Sequence, residues 1–258
     1  MSEKTLRQIE EMKKQTIGVE VEMNNITRNK AAKIAAEFFS TGRYENTADR
    51  NGYCTWSAYD EQSREWKFQK DVSIAGPDSE KCEMVTPILT YADIEILQEL
   101  IRRLRKAGAK SDSTRGCGVH IHIGAKGHTA QTLRNLANIM ASHESLLSEA
   151  LNLDGDRIRR YCRTVDTRFL EQVNRRKPKT MSQLADVWYK SHDENYGRNH
   201  HYNDTICSTS TQPLQRERLN SDFSSSTSHQ TANRTDFTQD SLKATFSFAL
   251  HSAKWQRK

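Results

Sequence analysis

The sequence has little proline, no long apolar run and no paired cysteines. Its 258 residues include four Pro, and no apolar segment approaches the roughly 20 residues that a membrane-spanning helix needs. The five cysteines form no C-x-x-C pair, which argues against a disulfide framework and a zinc ribbon. The charged opening, MSEKTLRQIEEMKK, lacks the apolar stretch of a secretory signal. We therefore expect a cytoplasmic protein rather than a secreted, membrane or fibrous one.

Glycine and several apolar residue types are missing from the last part of the chain. All eleven glycines lie at or before Gly197, and the segment 203–258 contains no Val, Met, Tyr or Gly. Eighteen residues of that segment are Ser or Thr. By composition alone this would be a disordered tail.

The chain as a whole can bury a sizeable core and is mildly basic. It is 35% hydrophobic, with a net charge of +6 and a pI of about 9.0. The charges are interspersed, so they permit an anionic partner without requiring one.

The hydrophobic pattern before residue 203 mixes strands and helices. IGVEVEM and VHIHIG alternate strictly and predict strands over 17–23 and 119–124, while KCEMVTPIL predicts a further strand. Apolar residues at helical spacing predict helices over about 28–39, 94–107 and 130–151. The order indicates an α+β domain, with a mixed or antiparallel sheet backed by helices.

Carboxylates and imidazoles lie on the polar faces of these predicted strands. Glu20 and Glu22 share one face, and His120 and His122 share another. An E-x-E pair is most often a solvated strand face, and an H-x-H pair most often belongs to satisfied core histidines. Together with Glu83 they instead form a candidate oxygen-rich site, which suits Mg²⁺ or Mn²⁺ better than a structural zinc.

Two further groups are candidates for binding substrate or phosphate. Lys70, Asp71 and Ser73 in QKDVSI could position a phosphate or an ammonium group, although a polar turn explains them equally well. Arg160 belongs to the basic cluster RIRRYCR, which could bind anions or form a solvated helix end.

Five motifs occur together in an order typical of one enzyme family: GVEVEM, KDVSI, CEMVTPIL, CGVHIHIGA and RYC. Over residues 16–163, and more weakly to 203, the chain resembles the amidoligases. They are a branch of the carboxylate–amine ligases that shares its fold with glutamine synthetase and glutamate–cysteine ligase. The resemblance therefore implies a glutamine synthetase-like catalytic fold.

The resemblance also implies an activity. ATP would phosphorylate a carboxylate to an acyl phosphate, and an amine would displace the phosphate. Two divalent ions, Mg²⁺ or Mn²⁺, would assist. By position in the family's motifs, Glu20 and Glu22 would divide between the ions, Glu83 would join one, and His120 or His122 the other. The expected partners are a small-molecule or peptide carboxylate and an amine. An oligomer is compatible with the family, and we expect no membrane or nucleic acid.

One family element is missing from the chain. Members end with a strand resembling T-x-E-F-R-x-F, whose Glu completes a metal site and whose Arg contacts phosphate. No such strand is encoded in this frame. We back-translated the chain and read the possible codons in a shifted frame, in which each new codon starts on the third base of an old one. In that frame the segment TQPLQRERLNSDFSSS is compatible with ATFTKGTVEFRLFQF. Only the first base of each new codon is then free to choose.

We hypothesise that a base was lost near codons 199–203. Residues 1–202 would then be a truncated amidoligase-like domain, and 203–258 an out-of-frame or disordered Ser/Thr-rich tail. A sheet missing an interior strand exposes unpaired edges. We therefore expect a poorly folded and inactive chain, with the fold incomplete at its C-terminus.

Two other functions remain open from the residues alone. A metal-dependent hydrolase could use His120 and His122 with downstream ligands, although the later histidines lie in loop-like or suspect sequence (His192, His200, His201, His229 and His251). A non-enzymatic nucleic-acid-binding protein would fit the pI, but the chain lacks a basic stripe with interleaved aromatic residues.

Overall fold

The computed structural model describes most of the chain up to residue 191 and two later strands. The described residues are 1–124, 127–150, 153, 155–160, 164–191, 202–206 and 242–248. Strands and helices are mixed along the chain, and the described strands form one sheet in which every neighbouring pair is antiparallel. The predicted α+β class is confirmed, with an antiparallel rather than a mixed sheet.

Eight strands make up the sheet. They are β1 (Ile17–Met23), β2 (Tyr44–Asn46), β3 (Trp56–Tyr59), β4 (Glu65–Gln69), β5 (Cys82–Val85), β6 (Val119–Gly124), β7 (Tyr202–Ile206) and β8 (Leu242–Phe248). Their spatial order is β2-β3-β4-β5-β1-β6-β8-β7, which places β1 near the middle, between β5 and β6.

The described helices pack mainly along one face of this sheet. They are α1 (Glu3–Lys13), α2 (Arg28–Phe38), α3 (Ala48–Asn51), α4 (Ile94–Lys106), α5 (Ala130–Ala150), α6 (Gly155–Arg160), α7 (Thr167–Arg176) and α8 (Met181–Ser191). None of them combines the length and apolar character that a bilayer-crossing segment requires.

Helix α2 shows how local sequence sets an element. Its N-cap is Thr27, whose side-chain oxygen accepts a hydrogen bond from the Lys30 N–H at 3.2 Å, which satisfies an otherwise unpaired donor of the first turn. Four alanines on one side of the helix are fully buried (Ala31, Ala32, Ala35 and Ala36). Such small side chains let the helix lie close against the sheet.

Two apolar clusters hold the layers together. The first joins α2 and α4 to the apolar faces of β1, β4 and β5, and it includes the fully buried Trp66, Phe68 and Leu100. The second joins α5, α7 and α8, where the rings of Phe169 and Trp188 meet edge to face at 4.7 Å. Both clusters lie on the same face of the sheet, because Val19 of the first cluster pairs with Ile121, which packs against the second.

The outer edge of β6 is paired in the structure. Strand β8 runs beside it in register from Val119↔Phe248 to Gly124↔Lys243, and β7 pairs with β8. The sequence led us to expect an unpaired edge here, but β8 satisfies the backbone groups of β6. The sequence of β8, LKATFSF, contains neither Glu nor Arg.

Candidate functional site

Strand β1 carries acidic residues on the face that points away from the apolar core. Val19 and Val21 are buried in the first cluster, so strict alternation places Glu20 and Glu22 on the opposite face. Antiparallel pairing then aligns Glu22 with Glu83 on β5, and Glu83 with Gln69 on β4. A row of polar side chains therefore crosses three adjacent strands.

A third carboxylate joins this row from the loop after β4. Glu22, Asp71 and Glu83 each offer an oxygen, and these oxygens lie within 4.8 Å of one another. All three residues are buried, with 4%, 8% and 1% of their surface exposed. Three carboxylates at such distances repel one another strongly unless a positive charge relieves them. We call Glu22, Asp71 and Glu83 the acidic triad.

Uncharged donors hold one oxygen of each triad carboxylate. The backbone N–H of Gly118 donates to Glu22 Oε2 at 2.6 Å, and the Gln69 amide donates to Glu83 Oε2 at 2.8 Å. The backbone N–H and the hydroxyl of Ser73 both donate to Asp71 Oδ1 at 2.7 Å. These bonds orient the carboxylates without neutralising them.

The two histidines of β6 face the carboxylates of β1. His120 Nε2 lies 3.4 Å from Glu22 Oε1, and His122 Nε2 lies 3.3 Å from Glu20 Oε1. Burial alone would lower the pKa of His120, but the hydrogen bond and the charge of Glu22, together with Glu20 and Glu83, raise the pKa above its usual value. The neighbouring carboxylates therefore favour the protonated ring, whereas burial opposes it.

A glycine lets the Asp71 loop approach β6. Gly116 has a φ of +84°, and a Cβ at that position would lie 2.6 Å from the Ser73 carbonyl oxygen. The Ala75 N–H also donates to the Arg115 carbonyl at 2.7 Å. Because it lacks a Cβ, Gly116 lets the Asp71 loop lie against the segment that leads into β6.

The remaining candidates from the sequence have different surroundings. Lys70 contacts the Asp78 carboxylate, which Lys81 also approaches at 3.1 Å. Ser73 donates hydrogen bonds to Asp71 through its backbone N–H and its hydroxyl. The side chain of Arg160 lies outside the described residues. The structure therefore places Asp71 beside two of the predicted metal ligands, Glu22 and Glu83, whereas Lys70 forms an ion pair with Asp78.

Two residues near the triad were missed from the sequence. Gln69 sits two positions before Asp71 on the alternating segment EWKFQ, and that alternation could have identified it. Asn24, the first residue after β1, is 3% exposed, and its side-chain nitrogen has no acceptor among the described residues. A buried donor of this kind is normally satisfied by a partner, which a ligand oxygen would provide.

The arrangement is chemically suited to a hard cation. Carboxylate oxygens are the ligands that Mg²⁺ and Mn²⁺ prefer, and the triad supplies three of them already oriented. In the described part of the chain, no other group of three His, Cys, Asp or Glu side chains meets the same criterion of closeness.

Comparison with protein-family models gave a match. A family model described as "Putative amidoligase enzyme" matches residues 13–218, a span that contains every strand from β1 to β7. Neither the curated proteins nor the solved structures gave a significant match.

Proposed function

The chain belongs to the amidoligase family, and we propose that its polar sheet face is the site of an ATP-dependent carboxylate–amine ligase. The observation that carries this proposal is the buried acidic triad, oriented by neutral donors on the face opposite the core. Ligation of an acid to an amine at the expense of ATP requires a divalent cation close to the phosphates. The family suggests the type of reaction, and the acidic triad is the group of residues that could bind the cation.

In this proposal Glu22, Asp71 and Glu83 hold one Mg²⁺ or Mn²⁺. Asp71 takes a ligand position instead of the substrate-binding role suggested by the sequence. Glu20, His120 and His122 border the same face and are the candidates for a second ion. A bound cation would neutralise the charge of the nucleotide phosphates.

The chain's own residues would position the substrates around that cation. Lys70 remains our candidate for a phosphate contact because it directly precedes Asp71, and a phosphate would compete with Asp78 for its ammonium group. The buried side chain of Asn24 offers a donor to a substrate oxygen. The low exposure of the triad limits the access of water, which strengthens each electrostatic contact.

We further propose that this chain is catalytically defective. The strand beside the histidines aligns Ser247 with His120, Thr245 with His122 and Lys243 with Gly124. It therefore brings no carboxylate and no arginine to this side of the site. The family's final strand would bring both, and the hypothesised frame break accounts for its absence.

The alternative functions are less well supported. A hydrolase built on an H-x-H strand normally adds His and Asp ligands from separate downstream strands, whereas the carboxylates that His120 and His122 face come from β1, upstream of them. The later histidines lie outside those residues. A nucleic-acid-binding face should be basic, whereas this face bears Glu20 and the acidic triad, which repel phosphate.

The test compares two proteins: the 258-residue chain and the same gene with one base restored near codon 201. Each is given MgATP, a panel of carboxylates and hydroxylamine, which traps an acyl phosphate as a hydroxamate. Binding of MgATP is measured alongside by calorimetry. We expect the restored protein to bind ATP only with Mg²⁺ and to release ADP, and Glu83→Gln in that protein to abolish both.

Either half of the proposal can fail separately. Equal ADP release by the two proteins would contradict the defect. Absence of Mg²⁺-dependent ATP binding in both would contradict ligase chemistry on this sheet face.

A further inference from the structure

Gln69 makes a buried contact with the acidic triad that the ligase proposal does not use. It is 5% exposed, lies on β4 directly beside Glu83 in the sheet register, and donates its amide N–H to Glu83 Oε2 at 2.8 Å. We propose that Gln69 is a positioning residue, which fixes the Glu83 carboxylate in the orientation that a divalent cation requires. This inference rests on the proposed metal site.

The direction of the Glu83 carboxylate depends on the torsions of its side chain. A glutamate has three side-chain torsions, and the last of them, which sets the direction of the two oxygens, is broad. A hydrogen bond to one oxygen removes that freedom and leaves the second oxygen in a defined direction. Groups that hold a metal's ligands in this way typically contribute 10–100-fold in metal affinity.

The chemical type of the donor matters as much as its position. An amide donates without carrying charge, so Glu83 keeps the full negative charge that attracts a cation. A lysine or arginine at this position would orient the carboxylate equally well but would oppose the cation through its own charge. Neutral donors on Glu22 and Asp71 follow the same pattern.

A purely structural role is the competing explanation. A cross-strand hydrogen bond between β4 and β5 would stabilise the sheet whether or not a cation binds. The two explanations differ in what they predict for metal affinity in a protein that remains folded. Asn51, the last residue of α3, offers a control, because its amide donates to the Glu65 carboxylate at 2.9 Å, at the end of β4 opposite Gln69.

The experiment titrates Mn²⁺ into the 258-residue chain by calorimetry, and records thermal melts without metal. The variants are Gln69→Met, which keeps the length of the side chain and removes the donor, and Asn51→Leu. We expect the dissociation constant for Mn²⁺ to rise about 10–100-fold in Gln69→Met and to stay unchanged in Asn51→Leu. Gln69→Leu, a second variant that lacks the donor and cannot bind a metal, should lose affinity to the same extent.

Each outcome decides one point. If the parent protein binds Mn²⁺ and Gln69→Met binds it equally well, the positioning role is wrong, whatever the change in melting temperature. If the parent itself binds no Mn²⁺, the metal site is wrong and the inference falls with it. If Gln69→Met does not fold, the decision passes to Gln69→Leu, where unchanged affinity in a folded protein would refute the role of the donor.

Discussion

A buried glutamate in α5 makes the stability of this protein depend on pH. Glu144 is 5% exposed, and its carboxylate accepts a hydrogen bond from the Val165 N–H at 2.8 Å. Burial raises the pKa of Glu144 from 4.5 to about 7, against the smaller opposing effect of that hydrogen bond. The folded protein therefore keeps a proton on Glu144 in a range of pH where the unfolded chain has lost it.

The sign and size of the effect follow from this difference in bound protons. Between pH 4.5 and about 7 the folded state binds more protons than the unfolded state, so the free energy of unfolding falls as the pH rises. One pKa unit corresponds to about 1.4 kcal/mol, which sets an upper limit of about 3 kcal/mol for the whole loss. The contribution is fully present below the unfolded pKa and is lost above the folded one.

Glu144→Gln tests this reasoning. The variant keeps an oxygen that can accept from Val165 but cannot ionise, so we expect it to match the parent near pH 4.5 and to exceed it by up to about 3 kcal/mol at pH 8. Urea unfolding followed by circular dichroism at several pH values measures the difference. His120, whose pKa is also raised, affects both proteins and cancels. Glu149→Gln, an exposed position on the same helix, should show no such trend. A constant offset between parent and Glu144→Gln at all pH values would refute the account.

Two further predictions concern the acidic triad and its support. Glu83→Gln should weaken Mn²⁺ binding at least ~100-fold in calorimetry, because loss of a ligand costs more affinity than loss of the group that orients it. The control variant Glu65→Gln, on β4, should bind Mn²⁺ as the parent does. Equal affinity in all three proteins would contradict the triad as the metal site. Gly116→Ala should lower the free energy of unfolding by about 1–3 kcal/mol more than Gly42→Ala does. The two glycines both have a positive φ, but of the two only Gly116 lies against another backbone segment. Equal losses in urea unfolding would show that the contact with Ser73 is unimportant.

The local part of this fold was predictable because its strands have one face in the core. The strict alternation of IGVEVEM and VHIHIG identified β1 and β6 to the residue. The same alternation placed Glu20 with Glu22 and His120 with His122 on common faces. Periodicity of two is a local property of the backbone, so the sequence alone is enough to reveal it.

The meeting of Asp71 and Gln69 with Glu83 was not predictable in the same way. It depends on the register between β4, β5 and β1, which is a non-local property. Alternation shows which face a side chain occupies but not which residues of neighbouring strands stand side by side. For the same reason Asp71 was taken for a substrate-binding residue, although the turn that holds it to Ser73 is entirely local.

The most direct test of the account is to sequence the coding DNA across codons 195–210 and to translate all three frames. We propose that an amidoligase site survives here without its final strand because one base is missing. An open alternative frame should then lie downstream of that point and encode a strand of the T-x-E-F-R-x-F type. An alternative frame interrupted by stop codons, or one that encodes no such strand, would contradict the claim.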